Sequence, residues 1–157
     1  MTTHHTTTER LSARELVVTR LFDAPPRLVY EAWTTADLMK RWWVPKSFGM
    51  TLLSCEIDAR TGGTYRFVFS HPTFEAPMAF FGRYIEAVPH SRLVWTNEES
   101  PDGSVTTVTF EDLGGRTRLV LHDLYSSKEA ADEAVASGST SGYPEQFDAL
   151  EKVLAGG

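Results

Sequence analysis

Stretches in which apolar and polar residues alternate give way, along this chain, to stretches in which apolar residues recur every three to four positions. The segment Glu15–Phe22, ELVVTRLF, is rich in β-branched and aromatic residues and predicts a first strand. It stops at Asp23-Ala24-Pro25-Pro26. Asp23 is a candidate N-cap, and the prolines suit a first helical turn, whose N–H groups lack intrahelical acceptors anyway. Val29, Ala32 and Trp33 then recur at helical spacing. Thr35 is placed to cap a second short helix carrying Leu38, Met39 and Trp42, with Pro45 as its stop. Strand character follows in Gly49–Asp58, Thr64–Ser70, Met78–Val88, Arg92–Asn97, Ser104–Glu111 and Arg116–Asp123. Turn chemistry separates these segments: Thr61-Gly62-Gly63, His71-Pro72, Pro89-His90, Pro101-Asp102-Gly103 and Gly114-Gly115. Such short links imply antiparallel hairpins.

Residues 128–136 read as a modest acidic helix or turn, and Gly138, Ser139, Ser141 and Gly142 interrupt it. From Pro144 a helix restarts, on which Tyr143, Phe147, Leu150 and Leu154 form one apolar stripe. A curved sheet must cover its concave face, and this closing helix is the long amphipathic element able to do so. The expected fold is therefore α+β, an antiparallel sheet curled around the C-terminal helix in a helix grip. The order is one strand, two short helices, six meandering strands and the helix. A gap between helix and sheet is the expected pocket. The Thr-rich residues 1–13, with His4 and His5, are expected to be a disordered tail, because they have little apolar surface to offset ordering entropy. A single domain is expected over 14–157.

Composition narrows the function classes. With 15 Lys and Arg against 21 Asp and Glu, the 157-residue chain carries a net charge of −6. That acidic balance argues against a nucleic-acid partner, which needs clustered cations. A chain of 17.6 kDa buries about 70% of its unfolded surface, enough for a core without staples. The lone cysteine, Cys55, excludes an internal disulfide and a cysteine-cluster metal site. No apolar run is long enough for a membrane span, and no signal peptide is visible, so the expected address is the cytoplasm. There is no H-E-x-x-H, G-x-S-x-G or P-loop motif; neither a metal nor a cofactor is expected, and no catalytic constellation is visible.

The run Thr19–Pro45, TRLFDAPPRLVYEAWTTADLMKRWWVP, resembles the start of the activator-of-heat-shock-ATPase-homologue family, within the START-like, birch-pollen-allergen-like (SRPBCC) superfamily. Further matches follow in order: Gly62-Gly63-Thr64-Tyr65-Arg66-Phe67; Gly82-Arg83-Tyr84-Ile85-Glu86 with Pro89 and Arg92-Leu93-Val94; Thr117-Arg118-Leu119-Val120-Leu121; and Gly142-Tyr143 before Phe147-Asp148-Ala149-Leu150. The resemblance implies a helix-grip fold with a hydrophobic cavity. It does not imply one activity, since relatives include lipid carriers, polyketide cyclases and sacrificial resistance proteins.

The candidate ligand-binding residues are Trp42, Trp43, Phe67, Phe69, Phe81, Trp95, Phe110, Tyr143 and Phe147, together with Arg83. Each ring suits either plain core packing or an aromatic cavity wall. Helical neighbours point about 100° apart, so one of Trp42 and Trp43 is expected in the core and the other at a pocket mouth, gating entry. Arg66 and Arg83 suit either the surface or, turned inward, a carboxylate or phenolate on an amphipathic ligand. On the last strand Leu119 and Leu121 are expected to face inward and His122 outward. The strand Met78–Val88 is apolar on both faces, which fits either a covered outer face in a homodimer or a register change near Gly82. The reading these features favour is binding of a small apolar or amphipathic ligand. The alternatives are a cyclase- or hydrolase-like enzyme, or a co-chaperone-like regulator of a partner protein.

Overall fold

In chain order the elements are β1 (Thr7–Ser12), β2 (Glu15–Phe22), α1 (Pro26–Thr34), α2 (Ala36–Met39), β3 (Thr51–Ile57), β4 (Thr64–Ser70), β5 (Met78–Val88), β6 (Arg92–Thr96), β7 (Val105–Asp112), β8 (Thr117–Leu124), α3 (Lys128–Ala136) and α4 (Tyr143–Leu154). The computed structural model describes residues 5–44, 47, 49–99, 103–136 and 142–156. The expectations placed on His4, Pro45, Pro101, Asp102 and the glycine–serine segment up to Ser141 lie outside these residues. The strands form one antiparallel sheet of order β1-β2-β8-β7-β6-β5-β4-β3. Its two edges, β1 and β3, do not pair, so the curved sheet stays unclosed. This is the expected α+β helix grip, with one strand more than the sequence pattern predicted.

The extra strand corrects the disordered-tail expectation. Thr7–Ser12 pairs with β2, Thr7 opposite Thr19 and Arg10 opposite Leu16. All of its side chains are exposed, so it shows no alternation to read. An edge strand is held by ladder hydrogen bonds and needs no buried face of its own. In β2 the alternation is clean: Leu16, Val18, Arg20 and Phe22 face inward. Asp23 is not the cap of α1; Pro25 holds that position, and Asp23 Oδ1 instead accepts from Arg116 Nε at 3.0 Å.

The core lies between the sheet's inner face and the paired helices α1 and α4. Phe147 and Leu150 of α4 are fully buried. The Phe147 ring meets Phe22 edge-on at 5.9 Å and Trp33 at 6.2 Å. The sheet also holds α4 by charge. Arg20, only 2% exposed, donates from Nη1 to Asp148 Oδ1 at 2.8 Å and to Thr6 Oγ1 at 3.1 Å, and its Nη2 lies 3.2 Å from Glu151 Oε2.

Gly82 is an approach point for backbone. A Cβ there would lie 2.0 Å from the Thr96 carbonyl oxygen, so only hydrogen fits. The register change comes just beyond it. Tyr84 pairs with Trp95 and Glu86 with Val94, leaving Ile85 as the extra residue of a bulge. Before the bulge Tyr84 is buried, and after it Ala87 packs on the core. Phe81 and Ile85 remain on the outer face, 41% and 53% exposed.

Candidate functional site

The sheet's inner face is not uniformly filled. Beneath α4 it is packed solid by Phe147 and Leu150, so the gap expected under the length of that helix is absent. Large rings on α1, α4 and β2 interlock there. The open space lies at the N-terminal end of α4, where only Tyr143 of that helix reaches it. There a cavity of about 480 Å³, open to solvent on one side, is lined by residues of β4–β8, of the Trp33–Trp43 region and of α3. α3 therefore forms a wall that the sequence pattern left as a modest helix or turn.

One part of the lining is aromatic. Trp33, 1% exposed, is its centre: its ring sits 6.0 Å from Trp43, 5.8 Å from Trp95 and 4.7 Å from Trp42. Phe67 closes on Trp43 at 5.6 Å and on Tyr65 at 5.4 Å. Tyr84, Phe80, Met39 and Leu121 complete this side. The indole N–H of Trp33 is buried and has no hydrogen-bond partner among the described residues. An unpaired buried donor costs about 1–3 kcal/mol. By contrast, Trp42 Nε1 donates to the Ala32 carbonyl at 3.1 Å.

The other part is polar and built on β7, β8 and α4. Asp123 follows Leu119 and Leu121 in the inward alternation of β8 and is 4% exposed. Its Oδ1 accepts from Thr106 Oγ1 at 2.6 Å, and its Oδ2 accepts from the Tyr143 phenol at 3.1 Å. Asn97 Nδ2 donates to the Ser104 carbonyl at 3.0 Å and to Thr106 Oγ1, also at 3.0 Å. Thr106 is thereby left to give its own hydrogen to Asp123. Burial raises the Asp123 carboxyl above the ordinary range, against the lowering effect of the bonds from Thr106 and Tyr143. Burial, and then the Asp123 charge, push the Tyr143 phenol well above its usual value. Tyr125 and Ser127 adjoin this end, and the exposed Glu99, Glu129 and Glu133 mark where it meets solvent.

The match to known proteins now has a geometry to stand on. Residues 23–155 match the family described as "Activator of Hsp90 ATPase homolog 1-like protein". The chain belongs to that family. No curated protein matches it. Among solved structures, a protein from Rhodobacter sphaeroides superposes with a TM-score of 0.87 at 26% identity, covering 96% of this chain and 98% of the other. One from Nitrosomonas europaea gives 0.82 at 21% identity, over 92% of this chain and 96% of the other. An AHSA1-like protein from Aeromonas hydrophila gives 0.67 at 16% identity, over 89% and 92%. The last two likenesses bear on the fold alone.

In this AHSA1-like chain the candidate residues divide into three groups. Trp43, Phe67, Trp95 and Tyr143 line the cavity. Trp42, Phe110 and Phe147 are buried in the core behind it, and Phe69 is buried near the outer end of β4, where its ring meets Phe80 at 4.7 Å. Phe81 and Arg83 do not face the cavity. Alternation about Gly82 turns both outward, and Arg83 Nε donates to Glu98 Oε2 at 2.8 Å on the surface. Arg66 is likewise exposed, whereas the buried arginine is Arg20, which sequence reasoning did not single out. His122 faces outward, with Nε2 at 2.8 Å from Glu15 Oε2. Cys55 is buried, and burial pushes its thiol up to about 11. Trp33, Tyr65, Tyr84, Thr106 and Asp123 were missed as lining residues. For Asp123 the signal was present, since it continues the inward alternation of Leu119 and Leu121.

Proposed function

We propose that the protein binds a small, largely apolar molecule in this cavity, with its polar group toward Asp123. The observation that carries the reading is a cavity of about 480 Å³ with aromatic walls and a few convergent polar groups, the usual make-up of a small-molecule site. Burial of the ligand's apolar body supplies the drive, at about 25 cal/mol per Å² before ordering costs.

The test is a fluorescence titration with the neutral probe N-phenyl-1-naphthylamine. Saturable binding is expected, weakened by Trp43→Ala and by Phe67→Leu and unchanged by Phe81→Ala on the outer face. Binding that fails to saturate, or that Phe81→Ala weakens as much as Trp43→Ala does, overturns the reading. Native mass spectrometry of protein purified from its own host then identifies any retained ligand.

A further inference from the structure

Among the described residues, the charged side chains around the cavity are all acidic. Asp123 lies in its wall, and Glu99, Glu129 and Glu133 stand at its rim. Among the described residues no Lys, Arg or His lines it. Asp123 is the deeply buried member, and no cation among the described residues forms an ion pair with it; its strand neighbour His122 faces the other side and is engaged by Glu15. Among the described residues Asp123 accepts two bonds, one on each oxygen. A carboxylate has about four lone-pair sites, and these two bonds occupy only half of them. Tyr143, Trp95 and Tyr65 line the same space, and aromatic rings attract a cation.

We propose, building on the cavity reading above, that the occupant is a cationic amphiphile whose protonated amine sits against Asp123 and whose aromatic or alkyl body fills the aromatic side. This inverts the anionic ligand that an inward arginine would have suited: Arg83 is on the surface, and a carboxyl occupies the inner polar position. A carboxylate ligand would meet Asp123 and the rim glutamates as a like charge in a low-dielectric pocket, which is strongly unfavourable. A cation supplies a counter-charge that no described residue gives Asp123 through an ion pair. The net charge of −6 adds long-range attraction for it.

The experiment compares 2-(1-naphthyl)ethylamine, 2-(1-naphthyl)ethanol and 1-naphthylacetic acid by calorimetry on the unaltered protein at pH 7.5. The three share one ring system and differ in the head group. The amine is expected to bind about tenfold or more tighter than the alcohol, the scale of a charge-assisted hydrogen bond, with the acid weakest. Asp123→Asn should remove the amine's advantage over the alcohol. The probe series uses the unaltered chain, so it decides the matter whether or not the variant folds. If alcohol and amine bind equally, or the acid binds best, the cationic assignment falls and the cavity reading stands. If none of the three binds, and the neutral fluorescent probe does not either, both fall together.

Discussion

Arg20 Nη1 lies 2.8 Å from Asp148 Oδ1, so a guanidinium rooted in the sheet holds the middle of α4. The arginine is buried, while its partners Asp148 and Glu151 stand partly in water. Removing the acids strands a buried charge, whereas replacing the arginine with an apolar chain of similar volume removes the charge itself. The double variant Asp148→Asn/Glu151→Gln is therefore expected to lose about 1–3 kcal/mol, less than for a fully buried pair because solvent screens the carboxylates. Arg20→Met should cost less than that. Urea unfolding of the two variants decides it; an equal or larger loss in Arg20→Met would show that the guanidinium stabilises the fold beyond its own desolvation.

Asp123 makes stability depend on pH in a defined direction. Its folded pKa is raised by burial. Between the unfolded value, about 3.9, and the folded one, the native state holds a proton that the unfolded chain has lost. Its contribution is thus fully present below the unfolded value and declines as pH rises through the folded one. The groups facing it are Thr106 from β7, Tyr143 from α4, Tyr125 just beyond β8 and the rim acids Glu99, Glu129 and Glu133. Asn at this position mimics the neutral acid and does not titrate. The melting temperature of Asp123→Asn relative to the parent should climb as pH rises above about 4 and level off once the folded carboxyl has ionised. A constant difference across that range would mean that Asp123 ionises at its ordinary value.

The adjacent tryptophans should separate stability from binding. Trp42 is fully buried, with its indole N–H bonded to Ala32. Trp42→Ala should cost about 3–5 kcal/mol. Trp43 is half-buried on the cavity wall, and its carbonyl accepts from Gln146 Nε2 through backbone that the substitution leaves in place. Trp43→Ala should cost less than about 2 kcal/mol yet weaken the neutral probe severalfold. Denaturation and probe titration of both variants test this, and probe affinity that ignores Trp43→Ala removes it from the site.

Two glycines should respond to alanine for different reasons. Gly82 has the Thr96 carbonyl where a Cβ would go. Gly82→Ala must push β5 from β6, at about 1–3 kcal/mol or more. Gly62 has a positive φ of 86° and open space around it, so Gly62→Ala is expected to cost about 1 kcal/mol of backbone strain alone. Thermal unfolding should rank Gly82→Ala well below Gly62→Ala; the reverse order would mean that the two strands separate freely at Thr96.

Most of the sheet was legible because its strands carry an alternation that burial enforces. In β8, Leu119 and Leu121 are inward and His122 outward, as the pattern required. β1 was not legible, because a strand exposed on every residue leaves no periodic trace. The cavity was half legible. Trp43, Phe67, Trp95 and Tyr143 reach it, but a large ring reads the same whether it fills a core or bounds a space, which is why Phe147 and Phe110 were grouped with them. Arg83 was misplaced because period two gives a face only relative to a fixed register. Buried Tyr84, paired with Trp95, fixes the inward face of this stretch and so turns Arg83 outward, and that pairing is not written in the local pattern.

The unpaired rims at β1 and β3 bear on how selective the chamber is. In a closed barrel, strand number and stagger dictate the radius. Here no ring of hydrogen bonds imposes a girth, so the sheet can tighten or splay by twisting without exchanging a single ladder bond. If the cavity holds the ligand proposed above, the bulk of Phe67, Tyr84 and Trp95 on its wall sets the size of guest it takes.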